Sequence, residues 1–269
     1  MEGETLTAFA SATNLLLDHG IMLIEWGDQV LQSYGYPIEV LIYDFAIHDP
    51  LLDEAMNLIS THGDGFDLAD PTEAEKAHGA LGVVGYHFIF SPKTDQPPSI
   101  LHLLPESVVH LWTSDCEHVH SPFDPSHGLY RPRVPQHCVS LIKCMQDYPA
   151  DSDDRWTAER VLRILIAVAV YKRPHLGEKI WSPDEKESKA EFHARQNAVV
   201  REIEGWKLYK KDEPYRPYII KFLLTGSFEK TVGVASVIKK IQTRLVHFIE
   251  PKAGDSSSRG HGHGHHHAH

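Results

Sequence analysis

Residues 21–60, IMLIEWGDQVLQSYGYPIEVLIYDFAIHDPLLDEAMNLIS, constrain the fold of this chain more than any other stretch. Ile21–Ile24 reads as a short strand. Gly27 permits a tight turn, because glycine adopts positive φ without a Cβ penalty. Asp28 is suited to cap a helix running to about Tyr34. Tyr36-Pro37 ends that helix, since the residue before a proline is driven out of the α region. Val40–Ile47 is β-branched and aromatic and reads as a strand. Asp49 then stands as an N-cap with Pro50 at the first helical position, opening a helix over Leu51–Ser60. A strand, glycine turn, helix, strand and helix in that order commit the chain to an α/β (α+β) fold.

The remaining signals extend this frame. Apolar residues at helical spacing predict a helix over 4–18, ended by Gly20. Residues 63–80 are rich in Gly and Asp and read as a surface loop. Gly85–Phe90 and Ile100–Leu104 read as strands, and Ser107–Trp112 as another. Residues 113–136 carry four prolines and read as a long irregular segment, of the kind that is usually functional or mobile. Helical periodicity then dominates: 137–148, 158–171, 189–204, 222–225 and 232–248. The expected organisation is an α/β unit over 1–112, a loop-rich and then helical region over 113–250 packed on it, and a His-rich tail over 251–269. That tail, GDSSSRGHGHGHHHAH from Gly254, resembles a purification tag or a low-complexity metal-binding segment.

The opening order resembles the nucleotidyltransferase-fold family, specifically its divergent members related to the antitoxin-system and aminoglycoside-modifying nucleotidyltransferases. The resemblance rests on Trp26-Gly27-Asp28 at the turn, Tyr34-Gly35-Tyr36-Pro37 after the helix, Tyr43-Asp44-Phe45-Ala46-Ile47 on the strand, and Asp49 to Ala55 at the next helix. It covers roughly residues 4–112 and implies a mixed sheet in which strands 21–24 and 40–47 are neighbours and Gly27 lies beside Asp44. It also implies that Gly27 admits nucleotide phosphates and that Asp44 helps hold Mg²⁺. The family places a second small residue after the turn glycine; this chain has Asp28. The family also places two acids on one face of the second strand, where alternation brings them together on metal ions. Here the residues two away from Asp44 are Ile42 and Ala46. The candidate catalytic and metal-binding residues are therefore Asp44 and Asp28. In place of a third acid, strand 100–104 offers His102, with Glu106 and His110 following. Asp44 also reads as a buried acid satisfied by backbone donors or by Tyr43.

These departures point to a nucleotidyltransferase-like protein with a degenerate metal site, acting as a binding or interaction module for a nucleotide or another small molecule. Two alternatives stay open. One is an active Mg²⁺-dependent transferase with a rearranged carboxylate site. The other is a small-molecule enzyme or zinc protein centred on residues 110–138, where Asp115-Cys116-Glu117-His118-Val119-His120, His127, His137 and Cys138 gather potential zinc ligands. Arg131 and Arg133, flanking Pro132, form a pair able to clamp a phosphate or carboxylate bidentately, and count as cofactor-binding candidates with Gly27.

Composition excludes some classes. A net charge of −11 argues against a nucleic-acid partner, which requires a basic surface. The cluster Lys207, Lys210, Lys211 and Arg216 among Trp206, Tyr209, Tyr215 and Tyr218 is the one local exception. No apolar run reaches the length of a membrane span. Three cysteines, an odd number, fit reduced thiols and a cytoplasmic location.

Overall fold

The computed structural model describes Met1 and residues 3–227. The expected helix over 232–248 and the His-rich tail lie outside the described residues. The chain folds as a seven-stranded mixed sheet with helices on both faces, an α+β architecture. The first elements follow the expected order: α1 (Gly3–Asp18), β1 (Ile24–Trp26), α2 (Asp28–Ser33), β2 (Ile42–Ile47) and α3 (Leu52–His62). The hydrogen bonding moves β1 to the end of the apolar run at Ile24. Gly27, not Asp28, is the N-cap of α2, and Asp28 starts the helix instead. Asp49 is likewise not an N-cap: it opens a 3₁₀ turn, Asp49–Leu51, that leads into α3, and its carboxylate accepts from Ser107 instead.

β1 pairs antiparallel with β2, with Trp26 opposite Asp44. Side-chain alternation along β2 then divides the core. Tyr43, Phe45 and Ile47 enter one apolar cluster with Phe9 and Leu16 of α1 and Ile59 of α3. Ala46 enters the other, which α7 (Val134–Gln146) and α8 (Asp153–Leu165) cover from the opposite face. The rings of Phe9 and Tyr43 lie 4.9 Å apart and those of Phe9 and Phe66 5.1 Å, so aromatic packing fixes α1 on its face.

Three expectations are corrected. Residues 63–80 are not a plain loop: they contain β3 (Phe66–Ala69) and α4 (Glu73–Lys76), followed by α5 (Ala80–Val83). Thr72 and Glu75 close a capping box, a signal present in Thr-x-x-Glu. Residues 107–112 are not a strand. β4 (Tyr86–Phe90) pairs with β5 (Ser99–Pro105), and the chain then turns through α6 (Glu106–Val109), which ends at His110 with φ 51°. Residues 113–136 are not irregular. β6 (Cys116–His120) and β7 (Gly128–Pro132) form a hairpin; β7 runs parallel to β1, and β6 is the edge strand. The prolines fit this order. Pro122 and Pro125 lie in the hairpin connection, Pro132 ends β7, and Pro135 occupies the first turn of α7, where its missing N–H costs nothing. The helical half is completed by α9 (Lys189–Glu204) and α10 (Arg216–Thr225). Among the described residues, no helix is long and apolar enough to cross a membrane.

Candidate functional site

Register builds the site. β2 and β5 are parallel with Asp44 opposite His102, and β5 and β4 are antiparallel with His102 opposite His87. Directly opposed residues on adjacent strands share a face. Trp26, Asp44, His102 and His87 therefore form one row across β1, β2, β5 and β4. Ile42 and Ala46 flank Asp44, as alternation along the strand requires, so β2 brings one carboxylate to this face.

Asp44 Oδ1 lies 2.6 Å from His102 Nδ1. The Nε2–H of His102 donates to the Val84 carbonyl at 2.5 Å. His87 repeats the pattern: Nδ1 bonds Glu75 Oε2, and Nε2–H donates to the Val83 carbonyl at 2.9 Å. The two imidazoles stack with centroids 4.3 Å apart. Because each Nε2 faces a carbonyl, it must carry hydrogen, and each Nδ1 then shares a single proton with its carboxylate. Burial pushes the Asp44 carboxyl up. His102 is also pushed up: burial alone would lower it, but the bonds to Asp44 and the Val84 carbonyl outweigh that effect. Both directions keep the proton within the pair. The Glu75 carboxyl, against its burial, is held below its ordinary value by His87 and Thr72.

Glu75 reaches this row because α4 and α5 fold back over the sheet. Asp154 of α8 accepts from the Ala80 backbone N–H, and Thr157 donates to the His78 carbonyl at 3.4 Å. Gly82 lies directly against the Glu75 carbonyl, so no side chain fits at that position.

Gly27 lies beside Asp44, as the resemblance implies. A Cβ on Gly27 would stand 2.5 Å from Asp44 Oδ2. Asp28 reaches the same cavity, where its Oδ1 accepts from Arg160 Nη1 at 3.0 Å. The cavity is about 40 Å³ and is walled by Trp26, Ile42, Leu81 and Val161 together with the polar groups named above. That volume admits an ion and a few waters at roughly 10–15 Å³ each. It is far below the ~300–1,000 Å³ of small-molecule pockets. Mg²⁺ fits this donor set poorly, since it demands oxygen ligands in near-octahedral order. Asp44 is bonded to an imidazole, Asp28 to a guanidinium, and the positions flanking Asp44 are apolar.

Neither arginine candidate lines this cavity. Arg131 is on β7 rather than in a loop, and its Nη2 donates to Glu25 Oε1 at 3.1 Å. Arg133 donates to the Ser114 carbonyl at 3.0 Å. Arg131 and Glu25 instead line a second cavity of about 430 Å³, with Gln29, Tyr43, Phe45 and Phe123. Burial pushes the Glu25 carboxyl up to about 7 in spite of Arg131. Arg131 Nε and Gln29 Oε1 are buried without a hydrogen-bond partner. No local sequence signal points to this cavity, because the prolines of 113–136 mask β6 and β7.

The zinc candidates of 110–138 do not converge. Cys116, Cys138 and Cys144 are buried, and burial pushes the Cys116 and Cys138 thiols up to about 12. Among the described residues, the group whose donor atoms gather is Glu75, His87 and His102. Two of these three lay outside the candidates readable from sequence. Within the basic–aromatic cluster, Arg216 donates to the Ile203, Glu204 and Trp206 carbonyls, and Trp206, Tyr215 and Tyr218 pack on the core.

No protein-family model matches the sequence, and no curated protein matches it. Among solved structures, the chain is similar to the solution structure of the antibiotic-resistance factor ANT(2'')-Ia, which is described as having substrate-regulated conformation dynamics. The TM-score is 0.38 and the identity 8%, over 77% of this chain and 100% of that one.

Proposed function

We propose that this protein is a nucleotidyltransferase-like scaffold that does not transfer nucleotides and serves as a binding module for a small polar molecule. The observation that carries this reading is the 2.6 Å bond between Asp44 and His102. In the family the chain resembles, the strand residue at Asp44 works with further acids to hold the metal that bridges the phosphates. Here an imidazole occupies the adjacent strand position, and the shared proton supplies the countercharge that a metal ion would otherwise provide. Arg160 does the same for Asp28. The space for a ligand lies instead in the 430 Å³ cavity on the other face of the sheet, whose lining includes the polar side chains of Glu25, Gln29 and Arg131.

The test is incubation of the purified chain with each α-labelled nucleoside triphosphate and Mg²⁺ or Mn²⁺, alone and with aminoglycosides or cell extract as acceptor. No label above background is expected. Label that disappears in Asp44→Asn would overturn the reading.

A further inference from the structure

We propose that Glu75, His87 and His102 form a binding site for one divalent transition-metal ion of the zinc type.

Three observations support it. First, the three side chains each offer one ligand atom, and these atoms lie within 4.8 Å of one another. Zinc–ligand distances of about 2.0–2.1 Å place tetrahedral donors roughly 3.4 Å apart, so small side-chain rotations close the set. Two imidazoles and one carboxylate are the donor set of zinc and non-haem iron sites, not of Mg²⁺ or Ca²⁺. Second, the ligands are buried and pre-positioned: side-chain exposure is 3% for His87, 1% for Glu75 and 0% for His102. Third, the outer shell is already built. A ligating histidine almost always gives its other nitrogen to a carboxylate or a backbone carbonyl. Whichever nitrogen of His102 binds the ion, the other keeps Asp44 or the Val84 carbonyl. His87 likewise keeps the Val83 carbonyl if Nδ1 binds. Glu75 keeps the Thr72 backbone N–H, which donates to its Oε1 at 3.0 Å, leaving Oε2 for the metal.

Glu75 and His102 also wall the 40 Å³ cavity that Asp44 and His78 share. A fourth, exchangeable water ligand has room there.

The experiment uses the full-length chain with the six tail histidines, residues 261–269, replaced by serine, because those would bind metal on their own. The protein is stripped with a chelator, reloaded with Zn²⁺ or Co²⁺, and desalted. Metal is then counted by mass spectrometry, and X-ray absorption reads the ligand shell. The expected result is one ion per chain, a shell of nitrogen and oxygen without sulfur, and binding at least tenfold weaker in both Glu75→Gln and His87→Gln. Cys116→Ala should leave binding unchanged. Less than stoichiometric metal in the parent would overturn the proposal, as would a shell containing sulfur or binding that survives both substitutions. The absorption measurement on the parent decides the matter even if a variant fails to fold.

Discussion

Asp44 and His102 are direct partners in the parallel pairing of β2 and β5, and their side chains meet at 2.6 Å between Oδ1 and Nδ1. His102 is fully buried and its second nitrogen is already committed to the Val84 carbonyl. Removing its carboxylate leaves a buried imidazole with one unmet bond. Asp44→Ala should therefore lower unfolding stability by about 2–4 kcal/mol, read from chemical denaturation. Asp44→Asn, which keeps a hydrogen-bonding group, should cost less.

Gly27 and Asp44 are coupled through space. Gly27 has φ 75° and ψ −149°, a conformation essentially reserved for glycine. Gly27→Ala meets both that strain, of order 1–3 kcal/mol, and the Asp44 carboxylate. In the Asp44→Ala background the carboxylate is gone and only the strain remains. A double-mutant cycle should give a coupling of about 1 kcal/mol or more, and strict additivity would show that the two residues do not press on each other.

His137 is fully buried in α7, and neither ring nitrogen has a partner. Burial pulls its pKa down to about 3 from 6.5. The unfolded chain thus takes up a proton below pH 6.5 that the folded chain refuses, so stability falls as pH falls. The loss should reach about 3 kcal/mol between pH 7 and pH 4. His137→Leu should flatten that limb of the stability profile. An unchanged acid limb in the variant would assign the sensitivity to other groups.

Glu25 has the opposite sign. Its pKa is raised from 4.5 to about 7 by burial, against the pull of Arg131. Its contribution is fully present below pH 4.5 and is lost as pH rises through 7. Glu25→Gln should therefore gain stability relative to the parent by about 3 kcal/mol between pH 4 and pH 8. A denaturation series across that range reads it.

The frame of the fold was legible in the sequence because it is local. Gly27, Pro37, Asp49-Pro50 and the apolar runs of β2, β4 and β5 fix elements by turn chemistry and periodicity. Alternation along β2 also foretold that Ile42 and Ala46 would flank Asp44. What was not legible depends on pairing at a distance. His87 and His102 each interrupt an apolar strand, which marks them as buried, but only strand register places them in one row with Asp44. The Thr72–Glu75 capping box was visible as a motif, yet nothing local says that Glu75 faces His87. The β6–β7 hairpin was hidden by prolines that lie at its turn and its end rather than within it. Missing that hairpin also hid the contact of Arg131 with Glu25.

The central claim is that Asp44 is held by His102 and is not available to a nucleotide-bound Mg²⁺. Titration calorimetry of the full-length chain with ATP, GTP, CTP and UTP, with and without Mg²⁺, tests it most directly. The account predicts no Mg²⁺-dependent heat with any nucleotide, in the parent or in Asp44→Asn. Saturable, Mg²⁺-dependent nucleotide binding in the parent that Asp44→Asn abolishes would contradict it.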